Sequence, residues 1–353
     1  MAEVLQPTSA AELVDAVRAA PRVIAVGAGT KPRLSRVAGD VVRVSTAKLR
    51  GIVEYEPSEF TFTALAGTPV REIAAALAER GQYLPFDPLF GEAGATLGGT
   101  VAAGTSGPGR FRFGGLRDFI LGVRFVDGGG RLMRLGGKVV KNAAGFDLPK
   151  FFVGSAGRFG ALAEITFKVF PRPVARRTVR LEGLEPEDAA GVFAAAGRAR
   201  WELYALDYVP GEKSAYAQLG GPAAALEALA GEILGRWKGG MLDATAAEGF
   251  WRESAECAWA HAGGTLLKVA LAPAEVVGFV ARVPRDGRAR ISAGGNVAWL
   301  SLPAGVMVPE MSSPAMTLRG DGPLWLGPRP QFEIFRAVKT ALDPQNRFPQ
   351  LDE

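Results

Sequence analysis

The sequence predicts an α+β protein in two main lobes, with helices mounted on mostly antiparallel sheets. Three observations carry this. Short segments of period-two alternation are interleaved with capped amphipathic helices. A proline pair, Pro171 and Pro173, marks a point beyond which the pattern of elements changes. Between the first elements and that pair lies a glycine-rich stretch, Gly94 to Gly122, too poor in large side chains to build a core. Glycine loses the most conformational freedom on folding, so such a run must be held by something else. No internal period is present to stack it, which leaves a ligand lying on bare backbone N–H groups, a large anionic and aromatic cofactor.

The elements follow in order. Ser9 and Glu12 form a capping box for a helix whose apolar face is Leu13, Val14 and Val17, stopped by Pro21. Residues 22–26 (RVIAV) and 41–45 read as short strands. Residues 60–65 alternate Phe60, Phe62 and Ala64 against Thr61 and Thr63, a half-buried strand. A helix then runs from a Thr68 cap and Pro69 through Val70, Ile73, Ala74 and Leu77 to Gly81. Residues 123–126 and 132–135 flank DGGGR as a hairpin, and 161–170 alternates Ile165, Phe167 and Val169. Past the prolines, 176–181, 203–209, 265–271, 290–293 and 296–302 read as strands, and 186–198 and 222–237 as helices. A last helix, 331–342, presents Phe332, Phe335, Val338 and Leu342 before a proline-punctuated tail.

Composition excludes several classes. Forty-one Lys and Arg against 36 Asp and Glu give a net charge of +5, spread without a basic block, and FRF at 111–113 is the one aromatic–basic interleaving, so nucleic-acid binding is disfavoured. One cysteine, Cys257, and one histidine, His261, rule out a Cys/His metal site, an iron–sulfur cluster and an internal disulfide. No apolar run is long enough to span a bilayer and no signal-peptide pattern opens the chain, so a cytoplasmic location is expected.

Motifs narrow the chemistry further. Residues 23–32, VIAVGAGTKP, carry Gly27 and Gly29 but place Pro32 where a dinucleotide fingerprint needs its last glycine. Three readings stay open here: that fingerprint, a plain strand-to-loop turn, or a nest of N–H groups from Val26 to Lys31 that holds an anion with help from Thr30 and Lys31. No P-loop is present. Gly104-Thr105-Ser106-Gly107-Pro108 lacks the last glycine of a nucleophile elbow, and His261 reads as a packed or surface imidazole. No catalytic residue is identified, and hard chemistry has to come from a cofactor.

The ordered series VGAGTK (26–31), DP (87–88), TLGG (96–99), the small-residue run to Gly107, FGG with RD (117–118), LG (121–122), KNAAGFDL (141–148) and GSAGRFGALAEITFKVFP (154–171) resembles the FAD-binding domain of the vanillyl-alcohol-oxidase, or PCMH-type, superfamily. More narrowly, GGTVAAGTSGPGR, LRDFILG and GGKVVKNAAGFDL resemble the FAD-binding subunits of bacterial glycolate oxidases. The tail LDPQNRFP lacks the closing NPG of those chains.

The resemblance implies an FAD domain of two α+β subdomains over 1–172, a smaller α+β cap over 173–325, and a helix and tail over 326–353 that return to the first. It implies non-covalent FAD, because Thr30 stands where covalently flavinylated relatives carry histidine. The diphosphate is expected against Val26, Gly27, Ala28, Gly29, Thr30, Lys31, Gly98 and Gly99, with room left by the two glycines. The ring is expected near Thr105, Ser106 and Gly107, and the adenine side near Gly160 and Ile165. Pro88, Leu97, Ala102, Gly114, Asp118 and Asn142 complete the expected set, with Lys141, Phe146 and Asp147 at the flavin edge. The implied function is an accessory or electron-transferring FAD subunit of a glycolate oxidase (glycolate dehydrogenase) complex, beside a larger FAD subunit and an iron–sulfur subunit. The alternatives are a stand-alone flavin oxidase or dehydrogenase of a small hydroxy acid or alcohol, and a non-catalytic subunit that keeps the fold.

Overall fold

The computed structural model describes residues 4–137 and 147–353. The expectations for Lys141, Asn142 and Phe146 lie outside the described residues.

The first lobe begins with a parallel three-stranded sheet in the order Val4–Leu5, Val42–Ser45, Val23–Val26. The Ala10–Ala19 helix covers it, starting where Ser9 Oγ accepts from Glu12 N, and buries Leu13, Ala16 and Val17. A second, antiparallel sheet runs Ile52–Glu56, Thr61–Leu65, Ala161–Lys168, Ile120–Val126, Leu132–Gly136. Its alternation buries Phe62, Ala64, Ile165 and Phe167. The hairpin expected around DGGGR is there, with Val126 paired to Leu132.

Several local expectations needed correction. Phe60 is not in the strand; it is 40% exposed and sits at φ 55° in the turn before it. Thr68 does not cap its helix. Its hydroxyl donates to the carbonyls of Gly51 and Leu65 and accepts from Gly51 N, and the Val70–Ala78 helix starts at Pro69 without a side-chain cap. The glycine-rich stretch is not bare loop throughout: Leu97–Ala103 is an α-helix, begun by Thr96, whose Oγ1 accepts from Gly99 N, and ended by Gly104 in the left-handed region. A cap of this kind offsets the low helix propensity of two glycines.

Past Pro171, which pairs with Gln82, the chain enters a nine-stranded antiparallel sheet. Its order is Gly239–Met241, Ala175–Glu182, Ser214–Gly221, Ala205–Val209, Arg288–Ser292, Val297–Leu302, Thr265–Ala270, Ala315–Arg319, Trp325–Leu326. The Pro186–Arg198 and Ala223–Leu234 helices pack on it through Ala189, Val192, Phe193, Leu226 and Ile233.

The chain then comes back. The Phe332–Leu342 helix lays Phe332, Phe335, Val338 and Leu342 against the first-lobe core. Phe348 is fully buried beside Leu13, Val17 and Val23, and Val23 N donates to the Arg347 carbonyl at 2.8 Å. Lys339 fastens this return: its ammonium donates to the carbonyls of Arg158 (3.0 Å) and Phe348 (2.9 Å) and to Asp343 Oδ2 (2.6 Å), so all three protons are used.

Candidate functional site

Two grooves run along the glycine-rich helix and meet at Ser155, which lines both. The first spans about 720 Å³, open solvent at its mouth included, and is lined by residues 25–31, Thr46, Thr96, Gly98, Gly99, Ala102, the 155–157 turn and Gly160. The loop over 27–31 follows the Val23–Val26 strand and passes into a 3-10 turn at Pro32–Ser35, so the Rossmann geometry is absent. Gly29 sits at φ 73°. Among the described residues, the amides of Ala28, Gly29, Thr30 and Lys31 donate to no group of the chain. Lys31 is buried, and its Nζ makes one hydrogen bond, to Thr30 Oγ1 at 3.0 Å, while stacking 5.2 Å above the Phe90 ring. Burial pushes its ammonium down to about 8, with Arg319 adding to the effect. Free amides and a desolvated cation without a bonded carboxylate are what an oxyanion requires.

The close approach is built by glycines. A Cβ on Gly27 would collide with Thr96 Oγ1, and one on Gly99 would lie 3.0 Å from the same atom. Gly98 differs from expectation: its missing Cβ faces Ala66, 2.9 Å from that residue's Cβ and 3.0 Å from its carbonyl, so it serves helix packing and does not leave room for a ligand. Behind the groove, fully buried Arg158 ties three segments together, donating from Nη1 to the carbonyls of Leu34 (2.6 Å) and Ala156 and from Nη2 to that of Glu353 (2.6 Å). An arginine inside GSAGRFG carried no signal that it would be internal.

The second groove is larger, about 1340 Å³, and opens between the lobes. From the first lobe come Ala103, Gly104, Ser106, Arg110 and the 115–118 turn; from the second, Lys268, Ala270, 314–316 and Trp325; from the returning segment, Arg329, Phe332 and Phe335. Among the described residues, four cations, Arg110, Arg117, Lys268 and Arg329, stand against one carboxylate, Asp118, whose Oδ2 accepts from Gly115 N. Lys268 is half-buried with its amine deep in the wall: Nζ donates to the Gly104 carbonyl at 2.6 Å, and burial with Arg110 nearby pushes it down to about 8. Arg329 lies 4.3 Å from the Phe332 ring and 5.1 Å from that of Trp325. Thr105 Oγ1 is buried without a partner among the described residues.

Of the expected residues, Val26, Gly27, Ala28, Gly29, Thr30, Lys31, Gly98, Gly99, Ala102 and Gly160 come together in the first groove, and Ser106 and Asp118 in the second. The rest lie elsewhere. Leu97 and Ile165 are in the hydrophobic core, fully buried. Gly107 faces Asp87, whose carbonyl would stand 2.5 Å from a Cβ there, and Gly114 turns at φ 86° over Asp118. Pro88 lines a separate crevice with Tyr83, Arg176 and Trp251. Asp147 pairs with Lys150. Lys268 and Arg329 were not anticipated, because a lysine in a strand and an arginine in a proline-rich turn have no distinguishing pattern. Among the described residues no three His, Cys, Asp or Glu side chains are placed to hold a metal ion, and no helix is long and apolar enough to cross a membrane.

The two grooves suit a flavin dinucleotide: an anion-seeking end with bare amides, joined to a wider cavity flanked by small residues, cations and aromatic rings. Comparison with known proteins agrees. The family described as FAD binding domain matches residues 1–136. The glycolate oxidase subunit GlcE of Escherichia coli (strain K12) is 45% identical over 157 residues, 44% of this chain and 43% of that protein. The glycolate oxidase subunit GlcD of Bacillus subtilis (strain 168) is 31% identical over 36% of this chain and 27% of its own length. The alignments therefore span less than half of each relative. A solved alkyldihydroxyacetonephosphate synthase shares the fold over 98% of this chain and 75% of its own, with a TM-score of 0.68 at 15% identity. Residues 1–136 are thus similar to the FAD binding domain family, and the chain has the fold of that synthase.

Proposed function

We propose that this chain is the FAD-binding subunit of a cytoplasmic glycolate-oxidase-type complex that converts glycolate or a related 2-hydroxy acid to the 2-oxo acid, working beside a larger flavoprotein subunit and an iron–sulfur subunit. The likeness to GlcE supports the choice of complex. The observation that carries a role at the reacting end is the cationic second groove, four cations to one carboxylate, at the end of a cofactor-sized channel.

In this reading the loop 26–31, Gly99, Ala102 and Gly160 hold the adenine and diphosphate parts of FAD, and Ser106, Asp118 and Lys268 face the ring. FAD supplies the two-electron acceptor. The chain's own residues bind and orient the substrate: the Lys268 ammonium, with protons left over after its bond to Gly104, and Arg110 offer charge-assisted hydrogen bonds to a carboxylate. Near its lowered proton affinity, Lys268 also suits proton transfer at neutral to alkaline pH. The division into residues 1–172, 173–325 and 326–353 is proposed with this reading.

Lys268 also favours a second reading, a chain that oxidises a hydroxy acid by itself. The test is one preparation measured two ways. The purified chain should show a flavin absorption spectrum and should co-purify with the other two subunits. Anaerobic glycolate or D-lactate that bleaches the isolated chain would favour stand-alone activity; bleaching only in the complex would favour the accessory role. A colourless chain that takes up no added FAD would refute both.

A further inference from the structure

The first groove borrows part of its construction from the second lobe. Arg319, at the end of the Ala315–Arg319 strand, donates from Nε to the Thr30 carbonyl at 3.2 Å and lies 4.5 Å from the Phe90 ring, the ring over which Lys31 also sits. Neither cation is bonded to a carboxylate among the described residues. In a trans peptide the carbonyl of Thr30 and the N–H of Lys31 point in opposite directions. Holding that carbonyl toward the second lobe therefore aims the next amide back toward the groove, which Thr30 and Lys31 line.

We propose that Arg319 is a positioning residue for the diphosphate end of the FAD site, so that cofactor affinity is set jointly by both lobes. The inference rests on the reading that FAD lies in the first groove. Arg319 acts by orienting the Thr30–Lys31 peptide and by placing a second positive charge behind Lys31. The charged and titratable groups facing Lys31 are Arg319, and Glu256 and Cys257 at the end of the Ala244–Glu256 helix. Because burial and Arg319 hold Lys31 near 8, a diphosphate bound beside it raises it. Binding then takes up a proton above pH 8, and affinity falls as pH rises through that value.

The full-length chain, stripped of FAD and re-titrated with it by fluorescence quenching from pH 6.5 to 9.5, tests this. Arg319→Met should weaken FAD binding about tenfold at pH 7 and move the alkaline loss of affinity to higher pH, since Lys31 no longer faces a like charge. Arg319→Lys should recover the alkaline onset, and Arg319→Gln, which keeps a donor without the charge, should keep the shifted onset while binding better than the methionine variant. The control is Arg33→Ala. Arg33 also bridges the lobes, through the Gly322 carbonyl at 2.6 Å, but does not line the groove. It should leave the pH profile in place. Wild-type affinity and profile in both Arg319→Met and Arg319→Gln would overturn the proposal, as would an equal loss in Arg33→Ala, which would reduce Arg319 to lobe docking. A wild-type chain that binds no FAD would refute the cofactor reading itself.

Discussion

Gly27 and Thr96 touch across the first groove, and their contact makes a quantitative prediction. Thr96 Oγ1 accepts from Gly99 N and so starts the Leu97–Ala103 helix; an N-cap of this type contributes about 1 kcal/mol. A methyl group on Gly27 cannot coexist with that oxygen, so Gly27→Ala must turn Thr96 out of its capping rotamer. The variant then loses the cap, about 1 kcal/mol, together with whatever crowding remains. Thr96→Ala alone also loses the cap, about 1 kcal/mol, but relieves the conflict in advance, because the next nearest Thr96 atom, Cβ, is 3.5 Å from the added methyl. The double variant should therefore cost about as much as either single one, a coupling of about 1 kcal/mol between residues 69 positions apart in sequence. Thermal unfolding of the FAD-free protein reads this as a fall of about 1–2 °C in each of the three variants. Strictly additive losses, with the double variant falling twice as far, would refute the contact and the capping role. FAD titration of the same set adds a second reading: Gly27→Ala should weaken binding more than Thr96→Ala, because only the first adds an atom to the groove wall.

Three further outcomes follow from the charges. Lys268→Met should raise the Kd of oxalate, read from the perturbed flavin spectrum, by about tenfold or more, and wild-type affinity should fall above pH 8 as the amine loses its proton; unchanged affinity would remove Lys268 from the site. Lys339→Met should cost about 3–5 kcal/mol, because it leaves Asp343 buried without its cation; urea denaturation checks it, and a loss under 1 kcal/mol would show that the tail is held otherwise. Burial holds Lys31 and Lys268 near 8 when folded, below the ordinary lysine value of 10.5. Between those values the unfolded chain binds more protons, so the FAD-free protein should gain stability from pH 8 to 9.5, and a falling urea midpoint over that interval would contradict the burial of these amines.

Much of the fold was legible because local signals agreed with the final packing. The Pro186–Arg198 helix has proline at its first position, acidic residues in its first turn and an arginine in its last, all of which act within the helix itself. The strand at 161–168 shows its burial in its alternation. Thr68 misled because its hydroxyl serves Gly51 and Leu65, partners that only the tertiary fold supplies. The Ser214–Gly221 strand, SAYAQLGG, was not anticipated: its small residues lie between two neighbouring strands and need no bulk of their own.

The candidate site divides along the same line. Its backbone-lined half was visible as glycines. Its cationic half was not, since Lys268 lies in a strand and Arg329 in a proline-rich turn, and only the meeting of the two lobes brings them beside Arg110 and Arg117. Gly98 shows the converse, a glycine in a ligand-shaped motif whose missing side chain makes room for Ala66.

The seating of Phe348 among Leu13, Val17 and Val23 has a consequence for the order of synthesis. The residues near 348 that cover the first strands are made only after the whole second lobe. At 5–20 residues per second, the roughly 180 residues after Pro171 take about 10–40 s to emerge. Throughout that interval the nascent chain carries the 27–31 loop without the buried clasp of Lys339, Arg158 and Glu353 behind it.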